Sequence, residues 1–319
     1  MNLRPVSLAL RLFSFAVLLF AMAGCGGGSI KSPVPAGPTS ATQHLYTNGA
    51  IGGAVQFALP LTGSTPTATL ALFAGGDVSA LAVDSAGNVA AGAFGGGISI
   101  FSAPITGSPS ASATFQNGTS IFVDNLAFNS AGDLFATSFT NQINVFTHPL
   151  TSASTPSQVI TSANLTSSDG VVLDSANNLI VSNAPNAASS NLLVYAPPYT
   201  GLPIATVAIP AASYRQMAIS GTQLFVVNSQ VSTSKIDVYN LPITAASTPA
   251  FLISTGLFGG SVSGNGVAVD SSGNLYAGLS GNLGTTDSGG VRIYVPPFSG
   301  ASAPSATTGV VGTSLAVGK

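Results

Sequence analysis

Four stretches of the chain alternate apolar and polar residues in the same way: LAVDSAGNVAAG (81–92), LAFNSAGDLFAT (126–137), VVLDSANNLIVS (171–182) and VAVDSSGNLYAG (267–278). Each reads as a short apolar strand, a turn built from Asp, Ser, Gly and Asn, and a second apolar strand. Asp84, Asn129, Asp174 and Asp270 close the first strand of each. A fifth copy, MAISGTQLFVV (217–227), places Ser220 there with a turn one residue shorter. The steps are then 45, 45, 46 and 50 residues, a spacing that marks a repeat architecture.

A second landmark recurs downstream of each strand pair. FALP (57–60), FSAP (101–104), FTHP (146–149), YAPP (195–198), YNLP (239–242) and YVPP (294–297) make six copies of aromatic-x-x-Pro, one more than the first motif. The missing partner is split between the two ends. SLAVGK (314–319) matches SALAVD (79–84), and HLYTNG (44–49) matches the second strand of the other units. Strand one of a sixth unit therefore comes from residues 315–317, and strands two to four come from the N-terminal side. A linear stack needs no such complement, whereas a ring does, because closure leaves only short, protected edges.

Each unit reads as four strands: in one of them 81–84, 89–93, 98–103 and 110–115. Gly and Asn supply turn positions with positive φ, and an Asp at the turn start bonds its own backbone. The Pro of aromatic-x-x-Pro ends the third strand, since it has no N–H for the ladder. The expected fold is an all-β, six-bladed β-propeller over 44–319, closed by the C-terminal strand. The AVDSAGN-like turns and the IxVY- or ISIF-like third strands resemble those of NHL-type and SMP-30/gluconolactonase-like β-propellers, across 44–319. That resemblance implies the fold and leaves function open, because propellers carry unrelated activities.

Composition agrees with strands. Hydrophobic residues make up 45% and charged residues 5% of the chain, and its nine acidic residues are all Asp. The formal charge of −2 argues against nucleic acid, which demands clustered Lys and Arg. Residues 1–24 carry Arg4 and Arg11 ahead of the apolar run LFSFAVLLFAMA (12–23), the layout of a secretory signal, and the run is too short to span a bilayer. Met22-Ala23-Gly24-Cys25 resembles the lipobox of bacterial lipoproteins, which implies lipidation at Cys25, the only cysteine. Residues 25–43 then form a Gly-, Pro- and Ser-rich linker that spans about 25 Å as a coil. The expected product is a monomer anchored in a bacterial cell envelope through lipid. Gly26, which is not the Asp that marks inner-membrane retention, favours the outer membrane. Its partners would be a small ligand or an envelope protein.

Candidate chemistry gathers at one end of the ring. The position five residues before each aligned turn residue opens strand one and faces the channel mouth: Ser79, Asp124, Asp169, Arg215, Asn265 and, from the C-terminal strand, Thr313. All six are polar, as the wet ends of strands tend to be, and together they suit a small-ligand or cation site. Loops on the same face lengthen in later units, at 183–191, 228–235 and 279–290.

The gluconolactonase likeness implies a divalent ion held by Glu, Asn and Asp at this mouth. Asn265 with Asp124 and Asp169 would stand in for them, Ca2+ accepts Asp oxygen, and Arg215 opposes any cation. No cofactor is otherwise called for. His44 and His148 read as surface residues, and no nucleophile elbow or phosphate-binding loop occurs. The turn-closing Asp84, Asp174 and Asp270 read as turn formers. The six motif aromatics read as packing between blades. Binding or scaffolding is the expected function, with a metal-dependent lactonase and a structural envelope component as alternatives.

Overall fold

A computed structural model describes residues 42–48, 52–72, 77–120, 122–186, 189–229, 234–254, 263–280, 290–310 and 312–319, with backbone alone at 263–265 and 280. The signal segment, Cys25 and most of the linker lie outside the described residues. Every regular element among the described residues is a strand.

The strands form six four-stranded sheets, each antiparallel and meandering outward. Blade 1 is β4 (Val78–Val83), β5 (Val89–Ala93), β6 (Gly97–Phe101) and β7 (Ala113–Gln116). Blade 2 is β8 (Leu126–Phe128), β9 (Leu134–Ala136), β10 (Gln142–Phe146) and β11 (Gln158–Thr161). Blade 3 is β12 (Ser168–Leu173), β13 (Leu179–Asn186), β14 (Ser189–Tyr195) and β15 (Ala205–Pro210). Blade 4 is β16 (Tyr214–Ser220), β17 (Gln223–Asn228), β18 (Lys235–Asn240) and β19 (Phe251–Ile253). Blade 5 is β20 (Ser263–Val269), β21 (Leu275–Ser280), β22 (Gly290–Tyr294) and β23 (Ala306–Thr308). Blade 6 takes β1 (His44–Asn48), β2 (Ala54–Ala58) and β3 (Ala68–Leu70) from the N-terminal side and β24 (Leu315–Gly318) from the C-terminal end.

The split blade is the closure expected from the sequence. β24 pairs with β1 antiparallel, with Leu45 opposite Val317 and Thr47 opposite Leu315. The innermost strands β4, β8, β12, β16, β20 and β24 contact one another in that order, and β24 touches β4 to complete the circle.

Strand burial explains why the repeats read as they do. The second strand of a blade lies between two neighbouring blades and is apolar on both faces, as in the fully buried VAAGA of β5. The outermost strand has one wet face and alternates, as in the buried-exposed-buried pattern of β3. All six motif aromatics, Phe57, Phe101, Phe146, Tyr195, Tyr239 and Tyr294, are buried. Each joins an apolar cluster shared with the preceding blade: Phe146 packs on Phe115 at 4.9 Å between ring centres, and Tyr239 sits among Ile180, Leu192 and Val194. Burying rings of this size contributes on the order of 2–3 kcal/mol each. These aromatics are core, as expected. The peptide bond before the Pro of each motif is cis.

The bounds differ from the sequence reading at strand one of blade 1, which begins at Val78 rather than Leu81. Its extra residues belong to an irregularity that the repeat pattern hides, and that irregularity builds the site.

Candidate functional site

Four of the six innermost strands carry a break in register where they open. It falls between Val78 and Ala80, between Ser168 and Val171, between Tyr214 and Met217, and between Gly264 and Gly266. The residues left unpaired are Ser79, Asp169 with Gly170, Arg215 with Gln216, and Asn265. A bulge re-aims a side chain out of the ladder, and here Ser79, Asp169 and Arg215 come to line the cavity at the channel mouth. In blade 2 Asp124 precedes β8 and is held by its own N–H, which donates to the Thr137 carbonyl at 3.0 Å.

The mouths of neighbouring blades are tied by side-chain hydroxyls. Thr137 donates to the Asp169 carbonyl at 2.7 Å, and Ser182 donates to the Arg215 carbonyl at 3.1 Å. Gly170 must remain Gly, because a Cβ there would overlap the Arg215 carbonyl. Ser79 donates to the Val123 carbonyl and, at 3.3 Å, to that of Gly92, so its hydroxyl serves the frame.

Ser79, Asp124, Asp169, Arg215 and Thr313 line one cavity of about 280 Å³ at the mouth. The side chain of Asn265 lies outside the described residues. Gln216 forms part of the cavity floor. Its Nε2 donates to the Leu315 carbonyl at 2.8 Å, and its Oε1 accepts from the N–H groups of Val267 at 3.0 Å and Leu315 at 3.2 Å. One buried amide thereby ties three innermost strands.

Electrostatics single out the acidic pair. Asp124 and Asp169 hydrogen-bond to each other. Burial, then the Asp169 charge, pushes the Asp124 carboxyl well above the ordinary carboxylate range, while Arg215 pulls weakly the other way. Burial also raises Asp169, but the guanidinium and the hydrogen bond from Asp124 oppose it. Two close carboxyls resist ionising together, so the pair favours keeping a proton, with the stronger upward push at Asp124. Arg215 Nη1 lies 3.6 Å from Asp169 Oδ2, so the guanidinium offsets negative charge on the pair. Arg215 Nε and Ser314 Oγ, on residues of the same cavity wall, are buried without a hydrogen-bond partner.

This donor set does not fit a divalent ion. The Arg215 guanidinium stands 3.6 Å from Asp169 and opposes any cation at the carboxyl pair. Among the described residues no group of three His, Cys, Asp or Glu side chains converges.

Three features of the mouth carry no repeat signal. Phe94, Phe122 and Phe139 are large, apolar and 51%, 39% and 39% exposed. Phe94 and Phe122 stack edge to face at 6.2 Å, and Phe94 and Phe139 line the cavity. They form an aromatic rim on the side of blades 1 and 2.

His44 corrects the sequence reading. It is half-buried in β1 with its Nδ1 enclosed, rather than a plain surface residue, because the side chain points into the contact between blades 6 and 1. The Asp-x-x-Gly-Asn turns are structural, as read: Asp84 Oδ1 accepts from the N–H groups of Ala86 at 2.9 Å and Asn88 at 2.8 Å.

No family model and no curated protein matches the chain. Solved structures do. A nidogen–laminin complex matches at 15% identity, covering 86% of this chain and 98% of that one with a TM-score of 0.60. A β-propeller domain of Cps50 (Swd1) from Myceliophteria thermophila matches at 13%, covering 83% and 81%, with a TM-score of 0.58. A putative 6-phosphogluconolactonase from Bacteroides uniformis matches at 16%, covering 84% and 83%, with a TM-score of 0.59. At these identities the likeness is one of fold. The chain is a six-bladed β-propeller, which the sheets establish independently.

Proposed function

We propose that the protein is a lipid-anchored binding module of a bacterial envelope, and that its ligand seats in the channel mouth. The observation that carries this reading is the convergence of Asp124, Asp169 and Arg215, three ionisable groups from three successive blades. Asp169 is buried, while Arg215, 3.6 Å away, keeps 40% of its side chain open to the mouth, where a ligand can reach it. A guanidinium beside two carboxyls that tend to keep a proton leaves little net charge, which suits an uncharged ligand carrying several hydrogen-bonding groups. The Phe rim supplies a flat apolar contact for one of its faces. Cys25 supplies the anchor, and the linker after it holds the propeller off the membrane.

A thermal-shift screen of uncharged small molecules tests the reading. Ligands that raise the melting temperature should bind at least tenfold more weakly to the Asp169→Ala and Arg215→Ala variants. Ligands indifferent to both substitutions, or none at all, would leave the structural envelope role in its place. The anchor has its own test: Cys25→Ser should move the protein from the membrane fraction to the soluble one.

The lactonase alternative has one specific support, the shared fold with the Bacteroides uniformis protein. It predicts lactone turnover that rises on adding Ca2+, Mn2+ or Zn2+. Turnover that stays absent with all three ions eliminates it.

A further inference from the structure

A second cavity, of about 480 Å³, lies where blade 6 meets blade 1. His44, Tyr46, Gln56 and Lys319 line it from blade 6, and Pro104 and Ile105 from blade 1. Its polar lining is unusual in one respect. His44 Nδ1, Tyr46 OH and Gln56 Oε1 are all buried, and none has a hydrogen-bond partner. They are three of the seven such atoms among the described residues, and they meet in one place.

Comparison of the blades shows that this is a departure from the repeat. Gln56 pairs with Tyr46 on the neighbouring strand. The same register position holds Ile100, Val145, Val194, Val238 and Ile293 in the other blades. Five blades fill the place with an aliphatic side chain, and blade 6 fills it with an amide that is 2% exposed. His44 is also a substitution. Asn88, Asp133, Asn178 and Asn274 occupy its position, each bonded to the residue that opens its own turn. Blade 6 has no such turn, because β24 and β1 are far apart in sequence and pair without a hairpin. The seam thus lacks the local structure that absorbs polar groups elsewhere, and an unmade bond on each of these atoms costs its full desolvation.

Burial lowers the His44 pKa and raises that of Tyr46 to about 12, so both side chains are neutral at pH 7. A neutral imidazole nitrogen, a phenol and an amide oxygen include at least one obligate acceptor and two groups of either role. Vicinal hydroxyls match such a set, since each one donates and accepts. Ile105 and Pro104 supply an apolar wall for a carbon skeleton.

We infer that the closure seam is a second binding site, independent of the mouth, for a small neutral polyol or sugar held by His44, Tyr46 and Gln56. Saturation-transfer NMR with glycerol and glucose on the whole protein tests it. The wild type should transfer saturation to one or both probes at millimolar concentration. The Tyr46→Phe/Gln56→Ile variant should weaken binding at least tenfold, and it should fold, since Ile is what blades 1 and 5 carry. An Asp169→Asn/Arg215→Gln variant should bind the probes as the wild type does. Three results overturn the inference: no transfer in the wild type, transfer undiminished in the seam variant, or loss in the mouth variant. In the first case the three atoms bond water alone; in the others the probes bind elsewhere.

Discussion

The two ends of the innermost strands carry the same residue type and use it in opposite ways. At the turn end, Asp270 accepts from the N–H groups of Ser272 at 2.9 Å and Asn274 at 2.8 Å, from Asn274 Nδ2 at 2.8 Å and from Tyr276 OH at 3.0 Å. Every donor lies in its own turn or on the strand that follows, so the charge is consumed locally. At the mouth end, Asp124 and Asp169 face each other and a guanidinium across blades. Their protonation, not their backbone contacts, is what the surroundings alter. The difference separates two kinds of carboxylate: one is satisfied by neighbours in sequence, the other faces residues a blade away.

The comparison can be broken in several places. Asp270→Ala removes four bonds to a charged acceptor and should destabilise the protein by about 2 kcal/mol, read from the urea midpoint. Arg215→Ala should leave stability far less changed but weaken any mouth ligand at least tenfold, read by calorimetry. It should also move both mouth carboxyls further upward, because it removes the one cation that opposes their protonation.

Asp124→Asn should have a smaller effect of opposite sign to Asp270→Ala. The folded pKa of Asp124 lies above its unfolded value, so the folded state binds the extra proton between the two. Stability is then fullest below about pH 4 and declines as pH rises through the folded value. Asn mimics the protonated form, so the variant should melt a few degrees higher at pH 8 and no higher at pH 4. Asp174→Asn should do least, within about 0.5 kcal/mol of the wild type. Blade 2 already makes this turn with Asn129, whose Oδ1 accepts from Ala131 at 2.9 Å and Asp133 at 2.8 Å.

The ring, its blade count and its seam were legible because they rest on periodic apolar positions and on a repeat divided between the ends. The mouth residues were legible by counting back from the turns, since a fixed strand length puts equivalent residues at equivalent heights. The bulges were not, because an extra residue in a strand changes spacing no more than a longer loop does. They decide that Asp169 and Arg215 point inward. Phe94, Phe122 and Phe139 were hidden for another reason: they sit on connecting segments with no counterpart between blades. Gln56 was visible in hindsight as the one polar residue before a motif aromatic. Its meaning depends on burial, which a single sequence does not state.

The central claim is that the mouth holds one proton between two carboxyls beside Arg215. Carboxyl 13C NMR across a pH titration of the Asp-labelled protein measures this directly. One of the nine Asp resonances should titrate well above the ordinary Asp range with a second shifting alongside it, and that coupling should vanish in Asp124→Asn. Nine independent titrations near the ordinary Asp range would contradict the account.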